Sequence, residues 1–171
     1  VEIECPIGSR TVRAKVWKLD VGRVPLYLLD ADLPGNKPDD RKLTEGLYKG
    51  EPELRLRQQI LLGVGGVKAL VAVGEKPTLC HLNEGHAAFA NLERMRMELE
   101  AGRSMEKGFD RLRQTSLFTT HTPVPAGHDR YEPQMVAKWL RPLMRELDLN
   151  MHGLADLGRE TPGDKAEPLC M

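Results

Sequence analysis

A chain of 171 residues holds enough material for one core, or for part of a larger one. Its 25 Lys and Arg against 25 Asp and Glu cancel to a formal charge of zero, so no positive field favours nucleic acid or an anionic membrane as partner. The longest apolar runs, such as Ile60 to Val67, fall far short of a membrane span, and Cys5, Cys80 and Cys170 read as reduced thiols of a cytoplasmic protein.

Residues 1–30 predict a β-rich segment. From Thr11 to Leu19, Val12, Ala14, Val16 and the often-buried Trp17 intersperse with Arg13, Lys15 and Lys18, and Val24 to Leu29 is a more continuous apolar run. Gly8-Ser9 and Val21-Gly22-Arg23 supply the turns of an antiparallel meander. Residues 31–52 read as a loop region, because Pro34, Pro38 and Gly35-Asn36 exclude a helix interior.

Residues 53–150 carry the alternation of helix and strand. Glu53 to Val73 places Leu54, Ile60, Leu61, Val64, Val67 and Leu70 at near-helical spacing. Gly63, Gly65 and Gly66 each lower helix propensity by roughly 1 kcal/mol relative to Ala, and read as room for close packing on a sheet. Thr78 to Leu82 suits a short buried parallel strand. Glu84 to Ala101 is helical, with Phe89, Leu92, Met95 and Leu99 on one stripe, and Ser104 opens a shorter helix to Gln114. Leu117 to Thr120 is a second buried-strand candidate, running into a loop from His121 to Arg130 made rigid by Pro123 and Pro125 and released by Gly127. Glu132 to Glu146 turns Val136, Trp139, Leu140 and Leu143 inward, with a kink expected at Pro142. This order is that of a βαβ unit in a parallel sheet with flanking helices. Residues 151–171 are loop-rich. With Val1 opening inside a strand pattern, both ends read as cut, and a fragment is expected.

Two segments carry polar residues directly after a predicted strand, where open α/β sheets bind ligands. Asn83-Glu84-Gly85-His86 follows the first strand and His121-Thr122 the second. A right-handed crossover brings both to one sheet edge. Two imidazoles, a carboxylate, an amide and a hydroxyl then converge, a set suited to a ligand dense in hydroxyl groups. Each residue also has a plainer reading. Asn83 reads first as a helix cap, and a histidine after a strand often satisfies a backbone group. His128 and Asp129 can simply structure their loop.

The run from Cys80 to Phe89, and about thirty residues later the run from Phe118 to Arg130, resemble the α-glucan (glycogen, starch or maltodextrin) phosphorylase family, in the branch found in many bacteria and archaea. Val21 to Asp30, Leu56 to Gly63 and Gly158-Arg159-Glu160 agree with it in the same order. The resemblance implies a GT-B glycosyltransferase, two Rossmann-like domains facing across a cleft, with residues 1–171 as a partial N-terminal domain. It implies reversible, retaining phosphorolysis of terminal α-1,4-linked glucose by inorganic phosphate to give glucose 1-phosphate. Pyridoxal 5'-phosphate serves as cofactor on a lysine outside this chain, and the parent protein can be a homo-oligomer. By the same resemblance His121 is the catalytic residue, bonding the 6-hydroxyl of the donor glucose with its carbonyl near the anomeric carbon. Glu84, His86, Thr122, Asn83 and Asp129 are carried over as substrate-binding positions. The better-studied branch has Asp-Thr-His-Pro where this chain has Glu84-Gly85-His86-Ala87.

Three rivals stand beside this reading. A metal site could draw on His81, Glu84, His86, His121, His128 and Cys80, but neither HExxH nor paired CxxC occurs. A nucleotide-sugar synthase of the same GT-B shape would keep its donor contacts outside this chain. A glucan-binding piece with no catalysis of its own fits the isolated chain, which brings no transferring group.

Overall fold

The structure, a computed structural model, describes residues 1–46, 51–124 and 128–171. Part of the 31–52 region, and Pro125 and Gly127 of the loop leading to Arg130, therefore lie outside the described residues.

Strands β1 (Glu2–Ile7), β2 (Arg10–Val21) and β3 (Val24–Asp30) form an antiparallel sheet in that order, as the meander pattern predicts. Alternation buries Ile3, Cys5 and Ile7 of β1 with Val12, Ala14 and Val16 of β2 on one face. Beyond Val16 the β2–β3 ribbon projects from the core. There Trp17, Leu19 and Val21 stand opposite Leu28, Leu26 and Val24, all 44–60% exposed. Trp17, expected to be buried, is 48% exposed, with the Lys15 ammonium 3.7 Å from its ring centre and its indole N–H donating to Asp30. Each outer strand carries one proline, Pro6 in β1 and Pro25 in β3.

The region after β3 contains a short helix, α1 (Pro38–Arg41), and a 3-10 turn at Lys42–Thr44. Buried Asn36 fastens it to the sheet, donating to the Arg13 carbonyl at 2.7 Å and accepting from the Arg13 N–H at 2.9 Å. Buried Asp40 pairs with Arg10 and Arg57.

Helix α2 (Pro52–Ile60) passes through a five-residue π turn, Leu61–Gly65, into α3 (Gly66–Ala72). Proline at the first position suits a helix start, where no intrahelical N–H is needed. The helix predicted over Glu53–Val73 is thus continuous but locally widened. Its glycines divide in role. A Cβ on Gly65 would meet Ile3 and Leu29 of the sheet, whereas one on Gly63 would lie 2.7 Å from the Ala90 nitrogen and 3.0 Å from the Phe89 carbonyl carbon. The closest approach is therefore to the backbone entering α4 (Ala90–Glu100) rather than to a sheet.

Strands β4 (Cys80–Asn83) and β5 (Ser116–Thr119) pair in parallel, Cys80 beside Ser116 through Asn83 beside Thr119. Helices α4 and α5 (Met105–Gln114) make the crossover, and the Ser104 hydroxyl caps α5. Topology agrees with the βαβ expectation, but burial does not. Leu82 is buried, while Leu117 and Phe118, on opposite faces of β5, are both about half exposed (50% and 53%), since two strands leave both faces partly open. Helix α6 (Pro133–Glu146) buries Val136, Trp139, Leu140 and Leu143, as its periodicity predicts, with Pro142 inside it. The N–H of Gly8, at φ +65°, donates to the Trp139 carbonyl at 2.7 Å and seats the first hairpin on this helix. Residues 151–171 contain α7 (Met151–Asp156), capped by Asn150, and β7 (Leu169–Cys170), which pairs antiparallel with β6 (Arg130–Tyr131).

Candidate functional site

The in-register ends of β4 and β5 release two loops side by side, and the polar groups gather there. Directly after β4, Glu84 adopts φ +57° and ψ −178°, a region of backbone space essentially reserved for glycine. Its buried carboxylate accepts from the His121 N–H at 2.6 Å, the Thr120 hydroxyl at 3.2 Å and the Thr122 hydroxyl at 3.3 Å. The His121 N–H foremost, with the two hydroxyls, holds this carboxyl below its ordinary range against the opposing effect of burial. Asn83, the last residue of β4, accepts from His121 Nε2 through Oδ1 at 2.9 Å. An amide oxygen only accepts, so Nε2 carries the proton in this arrangement and Nδ1 is left as the ring's acceptor. His121 itself is exposed. Asn83 thus serves neither as the helix cap of the plainer reading nor as a free side chain. The position before α4 is Phe89, which makes no side-chain cap.

Asn83, Glu84, His121 and Thr122 are brought together as the strand order predicts. His86 is set apart. It sits in a 3-10 turn, Gly85–Ala87, and borders a cleft of about 360 Å³ with Tyr27, Arg55, Gln58 and Gln59. Asp129 turns toward that second group. Its carboxylate accepts from Arg55 Nε at 2.9 Å and Gln59 Nε2 at 2.6 Å, while Gln59 Oε1 accepts from the Tyr131 hydroxyl at 3.0 Å. Asp129 therefore ties the loop before β6 to α2. Burial foremost, with the nearby Asp129 charge, pushes the Tyr131 phenol up to about 12.

The sequence pattern marks neither Thr120, at the end of a predicted strand, nor Arg55 and Gln59, on a predicted helix, as site residues. Gln59 left a signal, because a polar residue beside Leu56 and Ile60 on a buried helix face needs an internal partner. Thr120 left none, since its hydroxyl matters only once Glu84 is known to turn back on it. Among the described residues no three His, Cys, Asp or Glu side chains converge as a metal ion requires. The groups bonded to Glu84 and to the His121 ring are a backbone N–H, two hydroxyls and an amide, with no amine among them.

Donors and acceptors of this α/β chain thus collect beyond the carboxyl ends of its parallel strands, the edge at which open α/β sheets bind ligands. The chain is 46% identical over 162 residues to the maltodextrin phosphorylase of Thermococcus litoralis, an alignment covering 92% of this chain and 19% of that protein. It is 45% identical over 147 residues to a glycogen phosphorylase of Mycobacterium tuberculosis (82% and 17%), and 34% identical over 152 residues to one of Aquifex aeolicus (89% and 22%). No family model matches the chain. Its homologues are thus maltodextrin and glycogen phosphorylases, and it spans about a fifth of the length of these relatives.

Proposed function

We propose that the parent of this chain is a cytoplasmic α-glucan phosphorylase, which cleaves terminal α-1,4-linked glucose with inorganic phosphate, reversibly and with retention, to glucose 1-phosphate. The chain then supplies part of an N-terminal GT-B domain, with residues 1–30 as its β-rich segment, 31–52 as a loop region, 53–150 as the βαβ core and 151–171 as its continuation. The observation that carries this reading is the cluster around Glu84 and His121. Its carboxylate is engaged by three donors of the chain itself, and the imidazole above it remains exposed. Such a cluster presents donors and acceptors to hydroxyl groups with little net charge.

In this reading His121 touches the reacting sugar. Its ring, held by Asn83, keeps one nitrogen for the 6-hydroxyl, and its carbonyl faces the carbon where positive charge develops. Thr122 and His86 line the sugar side, and Asp129 holds the loop that borders it. Pyridoxal 5'-phosphate, the cofactor that the resemblance implies, would supply a phosphate group to the reaction. The residues gathered here do not fit its attachment, for which an amine is needed, so the chain alone binds sugar without transferring it.

The test uses the full-length parent and the isolated chain with maltodextrin and inorganic phosphate. The parent is expected to show pyridoxal absorbance and release glucose 1-phosphate, and the chain alone to do neither. Transfer from a nucleotide sugar with no phosphorolysis would make the parent a synthase. Phosphorolysis by the chain alone would overturn the division of the site.

A further inference from the structure

Glu84 stands in a conformation that an L side chain resists, although Gly85 follows it directly. A turn that needed only this backbone angle is best served by glycine at the strained position. The carboxylate explains the exception. Two of its three donors, the Thr120 and Thr122 hydroxyls, flank His121, and the third is the His121 N–H itself. The preceding residue, Asn83, separately holds the His121 ring through Nε2. Consecutive residues at the end of β4 thus grip the backbone and the side chain of one histidine, 37 and 38 positions further along the chain. The parallel register, with Asn83 beside Thr119, makes this reach possible.

Resting on the phosphorylase reading above, we propose that Glu84 is a positioning residue, whose strained backbone lets its carboxylate clamp residues 120–122 and so aim His121 at the sugar. It acts through His121 and does not touch the reacting atoms.

The test is made in the full-length parent by phosphorolysis kinetics. Glu84→Gly relieves the backbone and deletes the clamp, so kcat/KM is expected to fall about 10- to 100-fold while thermal stability does not fall. Glu84→Gln keeps an acceptor oxygen toward the His121 N–H and should stay within about threefold of wild type. In a His121→Ala background, Glu84→Gly should add less than about twofold, because the residue it positions is gone. The double change Thr120→Val with Thr122→Val leaves Glu84 in place and removes two donors. It should cost about 3- to 10-fold, and keeps the question open to measurement if the glycine variant does not accumulate. Wild-type activity in Glu84→Gly, or a loss that multiplies in full with that of His121→Ala, would sink the clamp alone. Absence of glucose 1-phosphate from the wild-type parent would sink the phosphorylase reading and the clamp with it.

Discussion

Two glycines three positions apart in one helical run should respond to alanine with opposite sign. At Gly66 an added Cβ meets nothing within 4 Å, so Gly66→Ala gains only helix propensity, about 1 kcal/mol. At Gly63 the same methyl group would lie 2.7 Å from the Ala90 nitrogen, 3.0 Å from the Phe89 carbonyl carbon and 3.1 Å from the Phe89 Cβ. Two of those atoms are backbone and cannot rotate away. Overpacking of this kind costs about 1–3 kcal/mol, which offsets or outweighs the propensity gain and leaves Gly63→Ala destabilised by up to about 2 kcal/mol. The two variants should therefore differ by about 1–3 kcal/mol. With a urea slope of about 2 kcal/mol per molar, their midpoints separate by roughly 0.5–1.5 M. Urea unfolding followed by the fluorescence of buried Trp139 reads the difference directly. A Gly63→Ala midpoint equal to or above that of Gly66→Ala would refute the close approach of the π turn to the start of α4.

In the parent enzyme, His121→Ala should cost about 1–3 kcal/mol in kcat/KM, on the order of 10- to 100-fold, and much less with a 6-deoxyglucosyl substrate. Equal losses with both substrates would return His121 to a loop-supporting role. Burial pushes the Cys5 thiol up to about 12, so at pH 8 a thiol reagent should label Cys80 and Cys170, both partly exposed, well before Cys5; early loss of Cys5 in a peptide map would contradict its placement. The carboxyls of Glu84, Glu53, Asp156 and Glu167 are all held below their ordinary values, by the His121 N–H, Lys138 and backbone N–H groups of Gly163 and Thr161 respectively. Groups with depressed native values stabilise the fold fully above the unfolded value near about 4 and lose that contribution as pH falls through the native one. Stability measured from pH 6 downward should hold to about pH 4 and then fall, and a rise below pH 4 would contradict these contacts.

Helix and strand periodicity made most of the fold legible. The meander, the crossover and the inward face of α6 all follow from spacing, because side-chain burial sets those patterns. What escaped was burial that depends on neighbours in space. Trp17 reads as core by residue type, yet alternation sets it on the face of Arg13 and Lys15, opposite buried Val12, Ala14 and Val16. Leu117 and Phe118 read as a buried strand, but exposure follows the number of strands beside them, which periodicity does not encode. The candidate site was half legible. Polar residues after two strands marked Asn83, Glu84, His121 and Thr122, whereas the turn of Glu84 onto Thr120 depends on a backbone angle that no glycine announced. Asp129 shows the reverse case, a polar loop residue whose partners Arg55 and Gln59 lie 74 and 70 positions away.

The prolines on the outer strands of the first sheet bear on how this chain behaves at high concentration. An open strand rim is a template for a second chain, and a ribbon with an apolar flank as bare as that of Trp17, Leu19 and Leu26 invites such growth. Pro6 and Pro25 each remove one N–H from a rim, and proline is tolerated in sheets only at such outer positions. Polymerisation through either rim must therefore cross a gap in the hydrogen-bond ladder, so the residues that spoil strand propensity also guard the ribbon against amyloid-like stacking.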